Sequence, residues 1–291
     1  MSLPPKDAPL GLELDPVARL TRDLRNAART LSPGEARFLV DSYYAMQRDR
    51  IRAAHQERTL AAGAEPHDTM RWLMLQRETL ESQVARALDA YSAAHPVGEW
   101  ARSICGIGPI ITAGLLAHID ITKAPTAGHI WRFAGLDPTL KWKPKTKRPW
   151  NGALKRLCWL IGESFVKVSS NENDIYGAIY KARKELEIRR NEQGLFAPQA
   201  QAALAEKKFG ADTEARKWYE QGKLPPARIH LRSERYAVKL FLAHLHHVMY
   251  EIHYQRPPEM PYIFSEGAAV ATGTGLHTHY LAPPNWPRPL T

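Results

Sequence analysis

Gly106 and Gly108 stand one residue apart, directly before Pro109, in the stretch ICGIGPIITAGLLAHID at residues 104–120. A glycine-rich turn feeding a helix leaves backbone N–H groups pointing outward, and such groups bind phosphate. A second feature follows closely. From Pro138 to Gly162 there is no Asp or Glu, while Lys141, Lys143, Lys145, Lys147, Arg148, Lys155 and Arg156 all fall there. A solvated basic face ordinarily carries some carboxylates, and a loop without them releases counterions for every phosphate it neutralises. Trp142, Trp150 and Trp159 are interleaved. Such rings stack on unpaired bases or anchor loop and helix to the core, and we expect anchoring for two of the three. The chemistry in view is the capture of a phosphate.

Nucleotide cofactors are poor owners of that phosphate. A dinucleotide fingerprint needs a third glycine after a strand, but Ile111 occupies the third place and GEWARSI before the turn reads as a short helix. The string GxxxxGK followed by Ser or Thr does not occur. What remains is a helix from Val97 to Ile104, the turn CGIG, and a second helix from Pro109. This is the pattern of a helix-hairpin-helix, which grips a nucleic-acid backbone and reads no sequence. Glycine keeps a side chain out of the phosphate's approach and tolerates a positive φ, and proline at the first helical position loses no bond. Ile107, Ile111 and Leu115 are expected to pack the hairpin. The plainer alternative is a tight interhelical turn with no ligand.

Other chemistry-bearing groups form no convincing site. His244 and His247 are spaced i, i+3, as metal ligands can be, but no flanking carboxylate or cysteine completes a shell. They read as helix histidines, as do His230, His246 and His253, and His277 and His279 carry less weight still. Glu163 and Ser164 beside Lys167 match no nucleophile arrangement. Glu185, Glu187, Glu192 and the nearby arginines read as a solvated helix face. Cys105 and Cys158, the two cysteines, stand far apart, so no disulfide framework or zinc module is expected and a reducing compartment is the default. We expect no catalytic residue, no metal and no cofactor.

The elements that would position these residues are helices. Lys and Arg number 40 against 30 Asp and Glu, a net charge of +10 that favours an anionic partner. Hydrophobic residues reach 44%, enough for a sizeable core. Residues 1–14 read as a loose N-terminus. Asp15-Pro16 opens a helix through Val17, Leu20, Leu24 and Leu31. Ser32-Pro33-Gly34-Glu35 has capping-box spacing and opens a longer one to about Leu60, ended by Gly63. A third runs from near Asp68 to Pro96. The narrow stripes fit either a coiled-coil-like pairing or an ordinary antiparallel hairpin, and residues 15–96 are expected to serve as connector or oligomerisation region. Further helices are expected around Ile130, Trp131 and Phe133, at about 150–168 and at roughly 228–254. Residues 171–227 read as a polar helical excursion, and 255–291 as a Pro- and Gly-rich tail. The predicted class is all-α. No signal pattern opens the chain, and no run approaches the about 18 apolar residues of a membrane span, so a cytoplasmic protein is expected.

Read together, "ICGIGPIITAGLLAHID…IWRFAGLDP…WNGALKRLCWLIGESF" resembles the C-terminal transposase domain of the DEDD insertion-sequence transposases, the bridge-RNA-guided recombinases. Gly106, Ile107, Gly108 and Pro109 match the family's hairpin and Ala134 to Pro138 its following turn. Asn151, Gly152, Leu154, Lys155 and Arg156 approximate the next helix start, and RYAVKLFLAHLHHVMY at 235–250 resembles the closing helix. The resemblance covers roughly 97–170 and 228–254 and makes 171–227 an insertion. It implies a RuvC-like catalytic domain and a serine nucleophile after the turn. Residues 1–96 read as helices instead, and the loop TLKWKPKTKRPW holds no serine.

The expectation is therefore a non-catalytic DNA-binding protein of a phage or mobile element. Gly106, Ile107, Gly108 and the basic residues 141–148, 155 and 156 would hold the backbone. The N-terminal helices would mediate self-association or docking to a partner protein. Two alternatives stand beside it: a recombinase subunit that borrows a separate nuclease domain, and a structural or assembly protein using 171–227 and the tail as its interface. Nothing in the pattern separates DNA from RNA.

Overall fold

Ser32 and Glu35 cap each other at the start of the first long helix. Glu35 Oε2 accepts from the Ser32 backbone N–H at 2.7 Å, and Ser32 Oγ accepts from the Glu35 N–H at 3.3 Å. The structure, a computed structural model, describes residues 19–61, 68–143, 145–206, 208–210, 212–260 and 282–286. Among the described residues it is all-α, with eleven α-helices and no strand. The chain divides after His95 into two compact units.

In the first unit, α1 (Arg22–Ala27) is capped by Thr21 and runs into a short 3-10 turn (Ala28–Thr30). Then come α2 (Pro33–Ala61) and α3 (Asp68–Ala93). Leu39 packs near Ala87 and Ala90, and Arg50 forks onto the buried Glu81 at 2.7 and 3.2 Å, so α2 and α3 run antiparallel. Phe38, Trp72, Leu75 and Leu80 remain exposed. The expected helix start at Asp15-Pro16 and the stop at Gly63 lie outside the described residues. The stripe through Leu20 and Leu31 is divided: Leu20 precedes α1, and Leu31 follows the 3-10 turn.

The second unit is built around one helix. Following α4 (Pro96–Arg102), α5 (Pro109–His118), α6 (Ala127–Phe133), α7 (Gly152–Val168), α8 (Tyr176–Glu192), α9 (Ala197–Glu206) and α10 (Glu214–Glu220), the 29-residue α11 (Pro226–Tyr254) closes it. Ala237, Val238, Leu240 to Leu245 and Val248 are all buried. A helix buried all round must be surrounded, and α4, α6, α7 and α8 do so. Phe241 stacks on Trp100 and meets Phe165 and Tyr176 edge-on. Each such ring, buried, contributes about 2–3 kcal/mol. Where α7 crosses α11, Gly162 leaves room for Glu234, since a Cβ there would lie 2.1 Å from Glu234 Oε1. Burial first, and then the charge of Glu163, push the Glu234 carboxyl up to about 7.

Three expectations need correction. Residues 171–227 are not merely an excursion, because α8 buries Tyr176 and Tyr180 against the core. Glu187 is not on a solvated face. It is fully buried, with Arg183 at 2.5 Å, Arg232 at 2.8 Å and Arg190 at 3.7 Å. The i, i+4 and i, i+3 arginines around it turn α8's charged stripe inward against α11. Nor is the tail loose throughout: the Trp100 indole donates to the Pro284 carbonyl at 2.7 Å, and Asn285 reaches Ser103 at 3.2 Å. Residues 261–281 and 287–291, with His277 and His279, lie outside the described residues. Two of the helix histidines are buried: His244 Nδ1 meets Tyr176 Oη at 2.6 Å, and His246 Nε2 meets the Ala124 carbonyl at 2.8 Å, whereas His253 is exposed.

Candidate nucleic-acid interface

The turn between α4 and α5 is held open by two different glycines. Gly106 has φ +88°, and a Cβ there would lie 3.1 Å from Val168 and 3.2 Å from Ser164. Its carbonyl accepts a 2.6 Å hydrogen bond from Ser164 Oγ on α7. Gly108 is different. It caps α5 with extended backbone, φ −88° and ψ 175°, and a Cβ on it would meet open space. Gly106 is thus required by conformation, whereas Gly108 keeps the approach to the helix end clear.

Ile107 has no part in that approach. Its side chain is buried and its N–H donates to the Ile104 carbonyl at 3.0 Å. The first α5 bond of the helical kind runs from Thr112 N–H to Gly108. The N–H groups of Gly108, Ile110 and Ile111 therefore have no backbone acceptor among the described residues, and they sit at the positive end of the helix dipole. Residues 102–108 line an open depression with Asn171, Glu172, Asn173, Asp174 and Asn285. Its rim is of mixed charge, Arg102 against Glu172 and Asp174.

The basic loop is organised by a helix stop. Beyond α6, the Leu136 N–H donates to Trp131 and the Gly135 N–H to Arg132, a Schellman pair closed by Gly135 at φ +66°. A Cβ on Gly135 would lie 2.7 Å from the Trp150 ring. Asp137 then accepts from the Thr139 N–H at 2.9 Å and its hydroxyl at 2.7 Å. These hydrogen bonds hold the Asp137 carboxyl below its ordinary value. Trp142 donates its indole N–H to the Thr146 carbonyl at 2.8 Å, and Arg148 lies 5.3 Å over its ring. Of the three tryptophans, then, Trp150 seats the loop on Gly135 and Trp142 folds the loop on itself. Trp159 is 51% exposed.

Lys141, Lys143, Lys145, Lys147, Arg148, Lys155 and Arg156 are all exposed. None of the loop lysines has a carboxylate within ion-pair distance among the described residues. Asn151 caps α7, its Oδ1 accepting from the Leu154 N–H at 3.0 Å, and its own N–H returns to Phe133 at 2.8 Å. Lys155 lies 4.1 Å over Trp150. Burial, then the charges of Arg235 and Arg148, push its ammonium below the usual value. The first turn of α7, where the helix dipole is positive, carries Lys155 and no acid, with Arg156 next along the chain. That arrangement opposes helix stability.

Turn and loop do not meet. Gly106 contacts the C-terminal half of α7, whereas Asn151 before α7 lies 3.3 Å from His118 at the end of α5. The two helices are antiparallel, and the ten residues of α5 separate the two features by about 15 Å. Motif reading weighed Ser164 only as a nucleophile and passed over Arg235 and the amides of Ile110 and Ile111. Ser164 leaves no sequence signal, because its partner is 58 residues away. Arg235 was readable only as one cation among several in RSERYAVK.

Residues 99–150 match the family model described as Transposase IS116/IS110/IS902 family. This chain carries a transposase-like domain. The match starts within α4, takes in the Gly106–Gly108 turn, α5, α6 and the Schellman stop, and ends at Trp150, where the basic loop reaches α7. The matched stretch of the transposase-like domain thus contains the glycine turn and the basic loop, but not the cations of α7 itself. The comparison with curated proteins found no match, and neither did the comparison with solved structures. Among the described residues no helix is long and apolar enough to cross a membrane.

Proposed function

We propose that the transposase-like domain binds nucleic acid by its backbone, DNA first, and that this chain's own residues hold the strand without cutting it. The observation that carries the reading is the exposed run of cations from Lys141 to Arg156. It contains no acid and ends on a helix N-terminus where two positive charges cost stability. An anion laid against it removes that repulsion and restores the helix start. The amides of Gly108, Ile110 and Ile111 give a second, uncharged grip. About 15 Å between grips corresponds to about four or five base pairs of duplex axis. Backbone contacts of this kind position a protein and carry no sequence information.

The loop between Thr139 and Trp150 supplies no serine, which supports a holding role for it. The first unit's exposed Phe38, Trp72, Leu75 and Leu80 fit self-association or docking to a partner protein. A gel-shift titration with random-sequence duplex DNA tests the proposal. Binding at low salt that is lost when Lys141, Lys143, Lys145 and Lys147 are all replaced by Glu is the expected result. No shift at low salt, or equal shifts for both proteins, would sink it.

A further inference from the structure

Glu163 on α7 faces His230 and Glu234 on α11, and one ligand atom from each lies within 4.8 Å of the other two. His230 and Glu234 are one helical turn apart, with Nε2 and Oε2 at 3.8 Å. The other imidazole nitrogen, Nδ1, is 2.8 Å from Tyr180 Oη. When Nδ1–H donates to that hydroxyl, the ring is fixed and Nε2 turns its lone pair toward the two carboxylates. A hydrogen-bonded outer partner of this kind is the usual companion of a metal-binding histidine.

Glu234 supplies an independent sign. It is only 3% exposed, and its Oε2 is a buried atom without a hydrogen-bond donor. Its Oε1 lies over Gly162, in space that any Cβ would fill. A buried carboxylate oxygen needs a proton, a donor or a cation. The charge of Arg235 reaches this carboxylate, but none of the helix arginines hydrogen-bonds its Oε2, whose near neighbours are a second carboxylate and an imidazole.

We propose that Glu163, His230 and Glu234 form a binding site for a divalent transition-metal ion, with Zn2+ the ion their donor set fits best. Bonds of about 2.1 Å around such an ion bring neighbouring ligand atoms to about 3–4 Å. A small rotation of Glu163, which is partly exposed, closes the remaining gap. One imidazole with two carboxylates suits Zn2+ or Mn2+, whereas Mg2+ and Ca2+ favour oxygen alone. Three protein ligands leave a position open to water or to an anionic group. The site is separate from the turn and the basic loop, and does not depend on their binding nucleic acid.

The test uses the full chain without an affinity tag, stripped with EDTA and dialysed against Zn2+, Mn2+ or Mg2+. Metal retained per chain is measured by mass spectrometry, and Co2+ is added as a spectroscopic probe. About one equivalent of Zn2+ is expected, with a visible Co2+ band of low-coordinate type. Glu163→Gln and His230→Gln should each weaken Zn2+ binding at least about tenfold, and Tyr180→Phe about tenfold. Both ligand changes are at partly exposed positions, and circular dichroism of the metal-free variants checks that they fold. Retention of Mg2+ in preference to Zn2+ overturns the ion assignment. Equal Zn2+ binding by the parent and both ligand variants, or none by any, overturns the site.

Discussion

Ser164 Oγ donates a 2.6 Å hydrogen bond to the carbonyl of Gly106, tying the turn before α5 to the C-terminal half of α7. The turn is therefore shaped by the core. The two glycines should respond differently to substitution. Gly106→Ala places a Cβ at φ +88° against Val168 and Ser164 and should cost about 1–3 kcal/mol. Ser164→Ala should cost about 1 kcal/mol. Gly108→Val meets open space and should cost no more than about 1 kcal/mol, yet weaken DNA binding several-fold by blocking the amides. Urea midpoints and fluorescence anisotropy separate the two effects. Unchanged binding by Gly108→Val would remove the turn from the interface.

Gly135 is the hinge on which the basic loop is hung. A Cβ there would sit 2.7 Å from Trp150 with the backbone at φ +66°. Gly135→Ala should therefore lower stability by about 2–3 kcal/mol and release Trp150 from its seat. The expected signature is a red-shifted tryptophan emission together with weaker DNA binding. Emission and stability like those of the parent would show that the stop does not hold the loop.

Glu187 gathers three arginines while fully buried. Replacing it by Gln keeps the volume and leaves that positive charge unpaired, which should cost about 3 kcal/mol. Thermal unfolding of the variant measures this directly. A change below about 0.5 kcal/mol would mean the arginines reach solvent without it.

His246 gives the protein an acid limit. Burial first holds its imidazole below the usual range, and the nearby His247 and His129 act in the same direction, against the Ala124 carbonyl. An unfolded chain therefore takes up the proton before the folded one does. Stability is present above about pH 6.5 and falls as pH drops below it. Urea midpoints measured from pH 7.5 to about 5 should decline, and His246→Gln, which can still donate to Ala124, should flatten the decline. An equal decline in the variant would move the acid limit elsewhere.

Local signals in the sequence located most helices closely. The Ser32–Glu35 capping box marks the start of α2, and Asn151 and Pro109 mark the starts of α7 and α5 because capping is a short-range effect. The charged stripe of α8 misled because Glu187 is neutralised by Arg232 from α11, a long-range partner that periodicity does not reveal. The tail misled for a related reason, since its described part is held by hydrogen bonds to Trp100, Ser103 and Glu251 rather than by any pattern of its own. The exposed cations of the candidate interface were legible as a run without acid. The roles of Gly106 and Gly108 were legible only jointly, and the structure separates them by φ and by the space around each.

Salt dependence measures the phosphate contacts without reference to sequence. Each neutralised phosphate contributes about −0.9 to the slope of log K against log salt concentration. With the loop lysines and the α7 cations engaged, the slope should be about −4 or steeper. Replacing Lys141, Lys143, Lys145 and Lys147 together by Gln should reduce it by about 3–4. A slope near zero, or one that the four substitutions leave unchanged, would mean that this basic loop does not lie on a nucleic-acid backbone.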